Sequence, residues 1–182
     1  MKEKFIDLLF KYKSAFATNK EPLGSIIQHQ VNIISNVEKP YPPSLRRPAY
    51  PASPRAIEDL EVHIKQLMDL VMLRKVGHNE QVEVTTPVII IWCNGKSRMV
   101  EGFRALNTYT IHYRYPIPRI YETSKQFSQA KFITAMDSLK GFHQNFLKDN
   151  SRKLLRIIVH FDIYEYLRVP FGIKMNLPII KV

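Results

Sequence analysis

The chain carries a single cysteine, Cys93, so no disulfide can form within it. That excludes disulfide-stapled scaffolds and suits a reducing, intracellular compartment. No apolar run approaches the ~20 residues needed to span a bilayer. The N-terminal Phe5-Ile6-Asp7-Leu8-Leu9-Phe10 is too short for a signal-peptide core and is interrupted by Asp7, so no membrane partner is expected. Glycine is scarce, six residues in all, and forms neither a Walker-type phosphate loop nor a G-x-S-x-G elbow. The six histidines, at 29, 63, 78, 112, 143 and 160, are scattered too widely for a zinc site. No internal repeat is present. Negative charge is also in deficit, with 16 Asp and Glu against 27 Lys and Arg.

What remains is a folding composition. Hydrophobic residues make up 45% and charged ones 24% of 182 residues, which fits one ordinary domain or two small lobes sharing a core. The net charge of +11 is uneven: residues 55–85 sum to −2 and residues 86–182 to +9. A polyanion partner would account for that surplus through counterion release, and so would a merely solvated basic surface.

The periodicities predict an α+β chain. Phe5, Leu8, Leu9, Tyr12 and Phe16 have the spacing of an amphipathic helix over 4–16. Six prolines between 40 and 54 make that stretch an extended connector, unable to form a helix or a paired strand. Ser53 and Pro54 then read as N-cap and first turn of a helix, whose buried stripe is Ile57, Leu60, Ile64, Leu67, Met68 and Val71. Residues 88–92 and 97–103, joined through Asn94-Gly95, read as a β-hairpin. A short helix is predicted over 116–128 and strands over 131–136, 154–161 and 164–169.

The strand over 131–136 would deliver Asp137 to its C-terminal tip, with Gly141 breaking the chain soon after and Phe142 following. A carboxylate so placed can hold a divalent metal while the aromatic walls a pocket beside it. It can equally cap the next turn.

Four segments now stand in order: Arg98-Met99-Val100-Glu101-Gly102-Phe103-Arg104-Ala105-Leu106-Asn107, Tyr115-Pro116-Ile117-Pro118, Phe132 through Gln144, and Tyr164-Glu165-Tyr166-Leu167-Arg168-Val169-Pro170-Phe171-Gly172. Together they resemble the reverse transcriptase of gypsy-type long-terminal-repeat retrotransposons, whose patterns are R-M-V-x-D-F/Y-R-x-L-N, Y-P-L/I-P, F/I-S/T-x-x-D-L-x-x-G-F/Y-H-Q and Y-E-F/Y-x-x-M/V-P-F-G-L. The resemblance runs from about residue 5 to 174. It implies a right-hand polymerase fold, truncated to the fingers and an incomplete palm sheet. Residues 1–54 would supply a helix and connector, and 55–182 the fingers and partial palm.

The resemblance also assigns roles. Asp137 matches the first of three catalytic carboxylates that hold two Mg2+ ions for nucleotidyl transfer. The other two belong to a Tyr-x-Asp-Asp hairpin that occurs nowhere in these 182 residues, so a lone Asp137 is not expected to hold the metal pair. Arg98 matches the arginine that grips the incoming nucleoside triphosphate. A second basic residue usually precedes the turn; Trp92-Cys93 stand there instead, and Lys96 is close enough to substitute. Phe142 matches the aromatic that closes on C2′ of the sugar. Phe171 flanks the same pocket, positioned by Pro170 and Gly172. Arg104 and Asn107 match residues near the face that grips an RNA template and DNA primer. The implied partners are therefore template, primer, nucleoside triphosphate and the remainder of a Pol polyprotein. The expected function is an RNA-directed DNA polymerase lineage, inactive as this fragment; the alternatives are a basic nucleic-acid-binding remnant or a non-functional pseudogene product.

Three positions depart from the pattern. Gly102 replaces an aspartate, Asp162 replaces a turn glycine, and Val71 stands where a helix-ending glycine is common. Without evident compensation, such changes suggest relaxed selection. Beyond Lys174 the family continues Asn-Ala-Pro into a helix. A one-nucleotide shift of codons for Asn-Ala-Pro-Ser-His-Tyr yields Met-His-Leu-Pro-Ile-Ile, close to Met175-Asn176-Leu177-Pro178-Ile179-Ile180, so a frameshift near codon 175 is expected.

Overall fold

A computed structural model describes residues 2–16, 24, 26–111, 119–128, 130–135 and 137–174. The chain opens with helix α1 (Lys2–Lys11) and strand β1 (Ile26–Val31), then helix α2 (Pro54–Asp69) and strands β2 (Leu73–Lys75), β3 (Thr86–Cys93) and β4 (Lys96–Glu101). Helices α3 (Arg104–Tyr109) and α4 (Ile120–Phe127) follow, then β5 (Asn145–Leu147), α5 (Asp149–Arg152), β6 (Arg156–Ile158) and β7 (Ile163–Tyr166). Five strands form one sheet in the order β2-β7-β6-β3-β4, and β1 pairs with β5 in a separate two-stranded parallel sheet. Within the larger sheet only β3 and β6 run parallel.

The predicted hairpin is β3–β4, in antiparallel register from Val88↔Glu101 to Cys93↔Lys96. Asn94 and Gly95 take φ of 52° and 74°, the paired positive values that an Asn-Gly loop tolerates. Only Thr86 and Pro87 at the base of β3 pair with β6, so the rest of the hairpin projects from the sheet.

Helix α2 begins as its residues dictate: the Ser53 side chain accepts from the Ala56 N–H, with Pro54 in the first turn. Leu60 and Ile64 are buried against the sheet, with Leu67 and Ile57 half-buried. Met68 and Val71, expected in that stripe, are exposed instead. The helix has ended by Val71, which adopts φ 53°.

The core joins Leu60 and Ile64 to Leu155, Ile157, Tyr166 and Val169, and takes in Val31, Ile33 and Leu45 from the N-terminal segment. Phe103 meets the Tyr166 ring edge-on at 6.3 Å. Beneath β7 lies a charge network. Glu165, 2% exposed, accepts from Arg74 at 2.7 Å and from Arg156 at 2.9 Å, and both arginines also reach Glu80. Arg74 holds Glu80 well below the ordinary carboxylate value, at about 2, with the Gly77 N–H assisting.

Several expectations need correction. Residues 131–135 form no strand, and Phe132 and Ile133 are 76% and 69% exposed. A strand exists through its ladder, and no described strand pairs with this segment; Met136 lies outside the described residues. The strands expected over 154–161 and 164–169 shorten to β6 and β7, because Leu154 and Leu155 turn into the core and Arg168 keeps only an isolated bridge to Phe146. The helix over 4–16 ends at Lys11 in a short 3-10 turn, its apolar side exposed, with Phe10 at 70%. The proline connector contains one 3-10 turn, Pro43–Leu45, pinned by buried Leu45 and an Arg46–Thr85 bridge. Of the helix predicted over 116–128, 120–127 is helical and 112–118 lies outside the described residues, as do Tyr115, Pro116 and the tail 175–182. No described helix is long and apolar enough to cross a membrane.

Candidate nucleotide and nucleic-acid site

Where the projecting hairpin leaves the sheet, a cleft of about 640 Å3 opens between α2, β4 and the loops at 140–143 and 171. The α2 side is tied to the hairpin by His63 Nε2, 3.1 Å from Ser97 Oγ. The floor is Met72 and Tyr166, 1% and 2% exposed. The Tyr166 hydroxyl donates to Glu101 Oε1 at 2.5 Å. Burial pushes the Glu101 carboxyl above its ordinary value, against the opposing effect of that hydrogen bond. Burial also drives the Tyr166 phenol well above its own, with the Glu101 charge adding to the shift.

The far wall is built from two of the sequence motifs. His143 Nδ1–H donates to Val169 O at 2.8 Å, and the Phe171 ring meets the imidazole edge-on at 4.4 Å. Burial lowers the His143 pKa, and nearby Lys140 and Arg168 lower it further, against the Val169 bond. Arg168 itself is buried, and its hydrogen-bond partners among the described residues are backbone carbonyls. It donates to Gly24 O and His143 O and lies 4.4 Å from the Phe146 ring centre.

Arg98 and Phe171 both line this cleft. Arg98 stands on β4 opposite Ile91. Phe142 reaches the same wall through an edge-on contact with Phe171, centroids 5.6 Å apart, without lining the cleft. Gly172 takes φ 83°, the left-handed region glycine favours, which turns the chain after Phe171. Asn107 clasps that turn: its Nδ2 donates to Gly172 O and its Oδ1 accepts from Lys174 N–H, both at 2.7 Å. Arg104 opens α3 and is exposed.

Two expected residues stand apart. Lys96 begins β4 at the turn, exposed and opposite Cys93, and is not among the cleft-lining residues. Asp137 is exposed and also outside the cleft lining. Among the described residues, no three His, Cys, Asp or Glu side chains gather to hold a metal ion. Magnesium bound through one protein carboxylate keeps most of its waters, so the described residues do not fit a two-metal centre.

Glu101, Lys140, His143 and Tyr166 line the cleft without having been singled out as site residues from the sequence. Lys140 left one faint signal, in that it precedes Gly141 in a turn; its own φ is 49°.

The helix-backed sheet with a projecting hairpin and a cleft at its base is the fold of a reverse transcriptase. It superposes on the crystal structure of prototype foamy virus protease-reverse transcriptase with TM-score 0.73 at 21% identity, over 94% of this chain and 22% of that one. A foamy viral protease-reverse transcriptase in complex with an RNA/DNA hybrid matches at TM-score 0.70 and 18% identity, again over 94% of this chain and 22% of that one. In sequence the chain is homologous to the Pol polyproteins of gypsy and related Drosophila retrotransposons. It is 28% identical over 183 residues to that of transposon gypsy from Drosophila melanogaster, across 96% of this chain and 17% of the polyprotein. With the Pol polyprotein of Drosophila melanogaster transposon opus it shares 42% identity over 83 residues, 46% of this chain and 8% of that one. The enzymatic polyprotein of cauliflower mosaic virus (strain CM-1841) is 30% identical over 131 residues, 67% of this chain and 18% of the polyprotein. The chain thus spans less than a fifth of the length of these polyproteins. No protein-family model matches it.

Proposed function

We propose that this chain supplies the fingers and first palm segment of a retrotransposon RNA-directed DNA polymerase. In that reading the cleft receives a nucleoside triphosphate, and the basic surface beside it lies along an RNA template and DNA primer. The observation that carries it is the convergence of Arg98 and Phe171, 73 positions apart in sequence and from two separate motifs, on one cleft. A planar guanidinium donates two parallel hydrogen bonds to phosphate oxygens, and an aromatic wall suits a sugar or base. The hydroxyl-excluding role of Phe142 and the template role of Arg104 belong to the same proposal. Catalysis by magnesium requires carboxylates beyond Asp137, and the 182 residues contain no Tyr-x-Asp-Asp to supply them.

The test is a titration of the 182-residue chain with RNA/DNA hybrid across salt concentrations, alongside a primer-extension assay. The expected result is salt-dependent binding without nucleotide incorporation. Arg98→Ala should weaken triphosphate binding more than Lys65→Ala, which removes an equal charge from an exposed position on α2. Equal losses would reduce the signal to bulk charge, the behaviour of a basic remnant. Incorporation by the unextended chain would overturn the reading.

A further inference from the structure

Among the described residues that line the cleft is a cation that the motifs did not assign. Lys140 lines the cleft from the wall opposite β4, facing a space that Arg98 borders from the hairpin side. We infer that Lys140, rather than Lys96, is the second cationic contact for the phosphate chain of a bound nucleotide. The inference rests on the reading of this cleft as a triphosphate site.

Position comes first. A phosphate chain needs donors on more than one side if it is to be held and not merely attracted. Arg98 alone supplies one side. Lys96 sits at the far end of the hairpin beside the Asn94-Gly95 turn and does not border the cleft. Lys140 does, and its charge is felt at the cleft wall by His143.

The turn that carries Lys140 is also held in place. Gln144 Nε2 donates to Leu139 O at 2.9 Å and to Ser138 Oγ at 3.3 Å. His143 N–H donates to Lys140 O at 2.8 Å, and Asn145 Nδ2 donates to Gly141 O at 3.1 Å. These bonds keep Lys140 at φ 49°, ψ 44°, a left-handed conformation that only a few residue types adopt readily. A lysine whose backbone is fixed has only its side chain to order on binding, so less freedom is lost per contact.

Among the described residues, one acidic group borders the same space. Glu101 is largely buried, and its carboxylate is engaged at the floor by the Tyr166 hydroxyl. The arrangement therefore favours an anion at the outer part of the cleft, between Arg98 and Lys140, over one at the floor.

The experiment measures binding of dGTP and of inorganic tripolyphosphate by the 182-residue chain, using isothermal titration. Lys140→Asn is the principal variant, because asparagine tolerates the left-handed conformation and removes the ammonium together with the stem that carries it. Lys140→Arg, Lys96→Ala and Lys148→Ala are measured beside it, the last as a bulk-charge control from a separate exposed loop. Lys140→Asn should weaken both ligands about tenfold, the scale of a lost charge-assisted hydrogen bond. Lys140→Arg should retain binding, and Lys96→Ala should lose no more than Lys148→Ala. If wild type binds, Arg98→Ala weakens binding and Lys140→Asn matches the control, this inference fails while the triphosphate reading stands. A dominant loss at Lys96→Ala would restore Lys96 as the contact and likewise overturn it. If wild type binds neither ligand, the triphosphate reading fails and the inference goes with it.

Discussion

Glycine and alanine at position 71 should stabilise the fold in the reverse of the order they show inside a helix. Val71 ends α2 with φ 53°. Its N–H bonds to Met68 O and the Met72 N–H to Leu67 O, each at 2.9 Å, the paired bonds of a helix terminator that normally has glycine at this residue. A Cβ in that conformation presses on the following carbonyl at a cost of about 1–2 kcal/mol. Glycine escapes the clash but leaves the unfolded chain freer, which costs back about 0.5–1 kcal/mol. Glycine should therefore exceed alanine at 71 by about 0.5–1 kcal/mol. At Lys65, an exposed position within α2, alanine should exceed glycine by about 1 kcal/mol. The Val71 side chain is 54% exposed, so removing it forfeits about 1 kcal/mol of burial. Val71→Ala should then fall about 1 kcal/mol below wild type, with Val71→Gly close to wild type. Urea unfolding of the four variants reads these differences, and each 1 kcal/mol is roughly 2–4 °C in Tm at this size. Alanine at 71 as stable as glycine would refute the reasoning.

The charge network and the cleft floor make two further predictions. Glu165→Ala strips Arg156, 2% exposed, of its buried carboxylate and should cost about 3 kcal/mol in urea unfolding; a loss under about 1 kcal/mol would mean Glu80 alone suffices. Glu101→Gln keeps an acceptor for Tyr166 while removing a buried charge. Because burial raises the folded pKa of Glu101 above its ordinary 4.5, the Glu101 contribution is full below that value and is lost as pH rises through the folded pKa. The variant should thus exceed wild type at pH 8, with the advantage gone below about pH 4; a pH-independent difference would exclude a buried carboxylate as the cause.

Local rules carried the parts of the fold that short stretches of chain decide. The β3–β4 hairpin follows from Asn94 and Gly95, whose two positive φ values close a two-residue loop whatever surrounds it. The start of α2 follows from Ser53 and Pro54 in the same way. The segment before Asp137 departs from its pattern for the complementary reason. Its alternation describes a strip with two faces, while a strand also needs a neighbour, and pairing is decided far away in sequence. The Arg74–Glu165 bond spans 91 residues and left no pattern to read. Lys140 is hard to read from local sequence because the role proposed for it depends on the hairpin wall across the cleft and not on its own neighbours.

The three departures from the retrotransposon pattern turn out to differ in kind. Val71 keeps the helix-ending geometry that glycine would adopt freely, and carries a β-branched side chain in it. Gly102 has no positive φ, and a Cβ there would meet Pro87 O at 3.7 Å, an ordinary contact. The site therefore accommodates the Cβ of the aspartate that the pattern carries there, and glycine stands in it without a backbone requirement. Asp162 is compensated outright, contrary to the expectation from sequence. It pairs with Lys75, its Oδ1 accepts from the Ile163 N–H at 3.0 Å, and its pKa is lowered, with these bonds outweighing burial. Its φ is not positive, so the turn between β6 and β7 no longer calls for glycine. A chain drifting without constraint would accumulate strained and permissive changes alike, but a substitution matched by its own ion pair and turn bond is a replacement that fits. Of the three, only Val71 carries a cost in the fold, and that cost is the one the glycine and alanine variants measure.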